Sequence, residues 1–275
     1  MFGYIIRRVV SGLLVLLATS VAVFAFFFYG PSDPAQAYCP ETRCTPERLE
    51  TIRTSLGLDR PVPEQYGEYM LGIVAGNDFE AGAISIKCPA PCLGVSFKLR
   101  LPVAKYLGER FPATLSLALG GAAIFLPLGL TMGVMAARVR GTFADKAIVS
   151  SSLLINAIPY YLLALLAYLY LINQWAIFPE PGYRSPFEAG PIAWIKGLIL
   201  AWIMLGIAYS TQYARFSRGS MLETMNQDYV RTARAKGLSE RPVMVRHVLG
   251  NASIPVVTVM ALTYGTILGL SLIHI

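Results

Sequence analysis

Five stretches of this chain are apolar from end to end, with polar segments between them: Val9 to Tyr29, Ala113 to Ala137, Ala147 to Ile172, Ile192 to Tyr213 and Ile254 to Ile275. Each is long enough as a helix to cross a hydrocarbon layer of about 30 Å. Formal charge is nearly absent inside them. Lipid offers backbone groups no hydrogen-bond partner, so such runs must close their own bonds as helices. The pattern predicts an all-α polytopic membrane protein whose spans form a helical bundle. The polar remainder is an N-terminal tip (1–8), a long lobe from Gly30 to Phe111, and connections at 138–146, 173–191 and 214–253.

Composition agrees: 55% of the residues are hydrophobic and 14% are charged, outside the range of soluble domains. The formal charge of +7 could suggest nucleic acid, but the excess sits beside the apolar runs, where it reports orientation. Arg7 and Arg8 precede the first span, Arg138, Arg140 and Lys146 lie between the second and third, and a basic segment follows the fourth. The opposite connection, Asn173 to Pro191, carries only Arg184. The N-terminus is therefore expected in the cytoplasm and the lobe outside, since long translocated regions escape the charge rule. The first run ends in Phe26-Phe-Phe-Tyr29, without the small residues of a signal-peptidase site, and reads as an anchor.

The lobe is polar and proline-rich. One helix is predicted over Thr45 to Arg53, with Thr45 as cap, Pro46 at the first helical position and Gly57 as terminator. Its acidic residues Glu41, Glu47, Glu50, Asp78 and Glu80 read as solvated surface. All four cysteines lie here: Cys39, Cys44, Cys88 and Cys92. On an oxidising face they are disulfide candidates, and the three possible pairings stay open. A zinc site built from two cysteine pairs is the rival reading.

Within the spans, Gly129-x-x-x-Gly133 and Gly265-x-x-x-Gly269 predict close helix packing. Pro127 and Pro159 are expected to bend their helices. Asn156, Tyr160 and Tyr161, and the patch Tyr209-Ser-Thr-Gln212, are expected to bond between helices. No span is expected to bury an Asp, Glu, Lys or Arg, which argues against a proton relay.

The most informative polar segment runs from Asp228 to Pro255. An amphipathic helix is predicted from a cap at Asn226 to Lys236, with Asp228 in its first turn and Arg231, Arg234 and Lys236 toward its carboxyl end, as the helix dipole favours. Gly237 ends it, because only glycine turns cheaply into the left-handed region. Ser239 then caps a third helix, with Glu240 in its first turn. A DNA-reading helix-turn-helix is excluded by context, since both ends run into membrane spans.

This segment resembles the EAA loop of bacterial ABC importer permeases, in the wording of the dipeptide, oligopeptide and nickel permease family. Thr232-Ala233 stand at its alanine pair and Gly237 at its glycine. Arg231 replaces the usual acidic residue, and Gly250 stands where many permeases have proline. The resemblance extends through Tyr4-Ile-Ile-Arg-Arg8, Leu56-Gly-Leu-Asp-Arg-Pro61, Gln65-Tyr66 and Arg110-Phe-Pro-Ala-Thr-Leu115. It implies an inner-membrane subunit forming half of a pathway for di- or oligopeptides, with nickel or glutathione as alternatives. It also implies a second permease subunit, two cytoplasmic ATPase subunits, an external solute-binding protein and surrounding lipid as partners, with no nucleic acid. Arg231, Thr232, Ala233, Arg234, Lys236 and Gly237 would then couple the membrane helices to the ATPase.

No Gly-x-x-x-x-Gly-Lys-Ser/Thr loop occurs, so ATP and Mg are expected on the partner ATPases, and the chain itself is expected to hold no cofactor. His247 and His274 are the only histidines and suggest no enzyme site. The family continues into a sixth span, whereas the sequence stops at Ser271-Leu-Ile-His-Ile275, which reads as a shortened end. A membrane sensor or scaffold, with a ligand-binding lobe and a regulator-binding loop, is the alternative from another class.

Overall fold

In the computed structural model, residues 2–29, 35–36, 45–55, 57–81, 84–96, 99 and 101–274 are described. Four helices are long and apolar enough to cross a membrane, in Phe2–Tyr29, Val103–Arg138, Pro191–Met225 and Glu240–Gly269, and a bent pair can make a fifth span. The chain divides into two units, Met1–Glu109 and Arg110–Ile275.

In the first unit, α1 (Phe2–Tyr29) has no buried residue. That suits a helix whose apolar surface is meant for lipid. Its carboxyl-terminal part meets α3 (Val62–Ala75) through aromatic rings: Phe24 packs edge-on against Tyr66 with centroids 5.2 Å apart, and the Tyr66 hydroxyl lies 3.4 Å from that of Ser20. The lobe holds more structure than the one helix anticipated. The expected helix is α2 (Pro46–Ser55), where the Arg48 amide donates to Thr45 Oγ1 at 3.4 Å, and Gly57 follows with φ +66°.

Beyond α3, β1 (Asn77–Ala81) pairs antiparallel with β2 (Ile84–Cys88), in a register that sets Asn77 opposite Cys88. A second small ladder joins β3 (Val95–Ser96) to β4 (Leu101–Pro102). Cys88 and Cys92 are bonded to each other, with Cα atoms 5.4 Å apart. Together with Val95, Phe79 and Ile86 they form the lobe's small core. The bridge is local, so neither cysteine is available for a crossed pairing. Cys39 and Cys44 lie outside the described residues.

The second unit is helical. α4 (Val103–Arg138) and α7 (Pro191–Met225) meet where their side chains are smallest. A Cβ on Gly133 would stand 2.6 Å from the Ala214 carbonyl oxygen and 2.6 Å from Ser217 Cβ, and one on Gly129 would stand 3.0 Å from the Ser210 carbonyl oxygen and run into Tyr213. The same approach lets Trp202 Nε1 donate to the Ser116 carbonyl at 3.0 Å. Phe125 stacks on Tyr213 with centroids 4.9 Å apart, inside a cluster shared with Val256 and Ile267 of α10 (Gly250–His274). The Tyr213 hydroxyl reaches Thr263 Oγ1 at 3.0 Å. Gly265 and Gly269 show no such approach among the described residues, where a Cβ added at either meets nothing within 4 Å.

The stretch 147–172, anticipated as one span, is broken. α5 (Phe143–Ala157) ends where Ile158 and Pro159 turn extended (ψ 125° and 129°), and α6 (Tyr160–Ala167) with the π-helical turn Tyr168–Gln174 leaves at 87° to it. Proline disfavours a helical conformation in the residue before it, so here it divides the helix instead of bending it. A cavity of about 180 Å³ lies at the break, with Asn156, Pro159 and Tyr160 facing Ala208 of α7. Among the described residues Ser210 and Thr211 make no side-chain bond to another helix. Their hydroxyls donate to Ile207 and Ala208 one turn back in α7, at 2.9 and 2.8 Å, as buried hydroxyls in helices commonly do.

Candidate functional site

α7 extends well past its apolar run and ends at Asn226. Asn226 closes that helix, with backbone φ −89° and ψ −2° and a side chain that donates back to the Leu222 carbonyl at 3.0 Å. The next helix, α8 (Asp228–Ala235), starts instead from Gln227, whose carbonyl receives the amides of Val230 and Arg231. The reading of Asn226 as its cap is thus displaced by one residue, because a side chain already satisfied by the preceding turn is not free to cap the next.

α8 has two sides. Val230, fully buried, and Ala233, 6% exposed, enter a cluster with Met221 of α7, Ala137 of α4, Val243, Met244 and Val248 of the following segment, and Ala252 of α10. Their i, i+3 spacing puts both on one face. The other side shows Asp228, Arg231 and Thr232 to solvent. Arg231 forms only an open 3.6 Å pair with Asp228, a contact of little energetic weight at such exposure. The Thr232 hydroxyl donates to the Asp228 carbonyl at 2.9 Å.

The turn after α8 is closed by the backbone. The Leu238 amide donates to the Ala233 carbonyl at 3.4 Å, and the Gly237 amide to the Arg234 carbonyl at 2.9 Å. This paired arrangement requires a left-handed residue at Gly237, where φ is +80°. Lys236 is the last residue before it and is exposed. Arg234 straddles the turn: its Nε and Nη2 donate to Glu240 Oε1 and Oε2 at 2.8 and 3.3 Å. The sequence places Arg234 at the carboxyl end of the helix, where its charge suits the dipole; the structure also uses it as a two-pronged clamp on Glu240. Ser239 has the extended backbone of a cap but makes no side-chain capping bond. After it comes the short α9 (Glu240–Pro242), then the π-helical segment Val243–Leu249.

Further bonds fasten the segment to its neighbours. Asn251 Nδ2 donates to the Tyr229 hydroxyl at 2.8 Å and to the His247 carbonyl at 3.2 Å, and Ser220 Oγ donates to the Ala252 carbonyl at 2.8 Å. His247 contributes through its carbonyl. One turn above, Arg218 of α7 donates from Nε and Nη2 to the two carboxylate oxygens of Asp145 at 2.6 and 2.7 Å. Asp145, 4% exposed, also accepts the Gly141 amide at 2.9 Å, while Thr142 caps α5 by accepting the Asp145 amide.

The Arg218 hydrogen bonds first, and the Gly141 amide second, hold the Asp145 carboxyl down to about 2; Arg218 is raised in turn. The pair ties the 138–146 connection to α7. Its signal in the sequence is slight: Asp145 is the one acidic residue of an otherwise basic connection, but nothing there names Arg218 as its partner. Among the described residues no group of three or more His, Cys, Asp or Glu is placed to hold a metal ion.

Two family models match the chain. Residues 1–118 match the N-terminal part of the binding-protein-dependent transport system membrane component, and residues 129–274 match the binding-protein-dependent transport system inner membrane component. The chain belongs to this permease family. Its relatives include a protein of Brucella abortus described as a peptide transport system permease, 36% identical over 99% of this chain and 82% of the relative. Another is the dipeptide transport system permease protein of Escherichia coli K12, 31% identical over 98% of this chain and 81% of the relative. The permease is a multi-pass membrane protein of the ABC importer type, in its peptide and dipeptide branch. Its second matched segment contains the approach of Gly129 and Gly133 to α7, the Asp145–Arg218 pair and the whole bracket around Gly237.

Proposed function

We propose that this permease forms half of the translocation pathway of an ATP-driven importer of di- or oligopeptides, and that α8 with the turn at Gly237 is the seat of a cytoplasmic ATPase subunit. The observation that carries the reading is the two-sidedness of α8: Val230 and Ala233 are buried against residues of α4, α7 and α10, while Arg231 and Thr232 stay exposed. A partner pressing on the exposed side pushes on a packed cluster, and close-packed interiors transmit displacement. The cluster in turn adjoins the inner ends of three membrane helices.

In this reading Arg231 and Lys236 steer the partner, Thr232 keeps the exposed surface low enough for close contact, Ala233 packs the helix closely onto the cluster beneath it, and Gly237 sets the angle of the bracket. The second permease subunit, the two ATPases that hold ATP and Mg, and the external solute-binding protein complete the machine. The relatives named as peptide and dipeptide permeases support the substrate class.

Gly237→Val tests the mechanism. A β-branched residue at φ +80° costs on the order of 1–3 kcal/mol and distorts the turn. In liposomes containing the complete importer, peptide uptake is expected to fall several-fold while membrane insertion is unchanged. Undiminished uptake with the variant bracket in place would overturn the reading.

A further inference from the structure

The cytoplasm-facing segments carry more positive charge than their own acids neutralise. Residues 138–146 and 214–253 hold ten Lys and Arg against four Asp and Glu. Three of those acids are engaged by Arg218, Arg231 and Arg234. Arg138 and Arg241 have no ion pair among the described residues, yet both line one groove, with Val134, Met244, Val245 and Leu249 supplying the rest of its wall. Its volume is about 230 Å³.

The groove's position along the spans is defined. Arg138 is the last residue of α4, directly after the apolar run that ends at Ala137, and Leu249 lies just before the run that begins at Ile254. The groove is thus level with the ends of two membrane helices, where lipid headgroups lie. Half of its lining, Met244, Val245 and Leu249, comes from the π-helical segment Val243–Leu249. Such backbone is rare and concentrates at functional positions.

We propose that this groove binds an anionic phospholipid, with the headgroup phosphate between Arg138 and Arg241 and the upper acyl chain along Val134, Val245 and Leu249. Guanidinium groups present planar paired donors suited to a phosphate, and basic pockets between helices at the cytoplasmic boundary are a recognised form of lipid site. A lipid fits better than a protein partner because four of the six lining residues are apolar and the groove sits at membrane level, away from the exposed face of α8. Placing it in the inner leaflet rests on the orientation used in the proposed function; phosphate recognition does not.

The test is native mass spectrometry of the permease, purified with its co-expressed partner subunits and exposed to phosphatidylglycerol or phosphatidylcholine of equal chain length. Wild type is expected to retain phosphatidylglycerol in preference. Arg138→Gln and Arg241→Gln are each expected to weaken that retention about fivefold. Arg246→Gln, an arginine outside the groove, is expected to leave it unchanged, and Leu249→Trp to reduce it by filling the chain's seat.

Equal retention of the two lipids, or unchanged retention in both arginine variants, would overturn the site. So would a crosslinker at position 241 that captured an ATPase subunit while lipid retention ignored the substitutions. Should Arg138→Gln disturb α4, Arg241→Gln alone decides, since it precedes the apolar run that begins at Ile254. Retention is read without transport, so a failed lipid site leaves the importer reading standing. Lost uptake in a lipid-retaining complex does the reverse.

Discussion

Asp145 is the residue on which the packing of the 138–146 connection turns. Three donors converge on a carboxylate that is almost removed from solvent, and Arg218 has that carboxylate as its charged partner. Asp145→Asn keeps the shape and removes the charge. It leaves Arg218 without its counter-ion, and breaking one side of such a pair is costlier than never having built it. The variant is expected to melt at a lower temperature than wild type in detergent.

The pH dependence has a definite sign. A carboxyl whose folded value is lowered from 3.8 to about 2 contributes its full stabilisation above 3.8, and loses it as the pH falls through about 2. The difference in melting temperature between wild type and Asp145→Asn is therefore expected to be flat from neutral pH down to about 4 and to shrink below it. A difference that faded between pH 7 and pH 5 would show that another group, not this carboxylate, is being read.

At the scale of elements, the glycine pairs separate two kinds of helix surface that the sequence cannot distinguish. Gly133 has α7 backbone against it, whereas Gly265 has nothing against it among the described residues. Gly133→Leu must push α4 and α7 apart, and overpacking of this kind costs about 1–3 kcal/mol or more. It is expected to lower the yield and thermal stability of the chain purified alone. Gly265→Leu is expected to be neutral in the same measurement. Equal damage from both would mean that the α4–α7 contact is not what limits stability.

The same contrast shows what was legible beforehand. Long apolar runs gave α1, α4, α7 and α10, because lipid leaves a helix as the only economical backbone, and Gly237 gave its turn, because few residues accept φ near +80°. Three features were hidden. Pro159 could bend or break its span, and only the surrounding packing decides which. Ser210 and Thr211 could bond to a neighbour or to their own helix, and the choice depends on what lies opposite. Arg234 sits six residues from Glu240, a separation that becomes a contact only once the turn has closed. Within the candidate site, the helix–turn order was readable, while the bonds that fasten it, through Tyr229, Asn251, Asp145 and Arg218, join positions with no sequence pattern between them.

For the whole molecule, the decisive question is which side of the membrane each polar segment occupies. The proposed mechanism needs α8 inside, with the ATPases, and the disulfide-bearing lobe outside, with the binding protein. Charge supplies the argument: Arg7, Arg8, Arg138, Arg140 and Lys146 lie in the segments expected inside with the bracket, while the 173–191 connection, expected outside, has Arg184 alone. The bridge between Cys88 and Cys92 suits an oxidising exterior. Both lines agree on one topology, and labelling tests it. Thr232→Cys, on the exposed side of α8, is expected to react with a membrane-impermeant maleimide only in inside-out vesicles. Asp78→Cys, on an exposed position of the lobe hairpin, is expected to react in intact spheroplasts. Labelling of both from the same side would remove the lobe or the bracket from its proposed partner. The reverse pattern would put the bracket beyond the reach of cytoplasmic ATP, and no arrangement of Gly237, Arg234 and the buried face of α8 would then connect transport to its energy source.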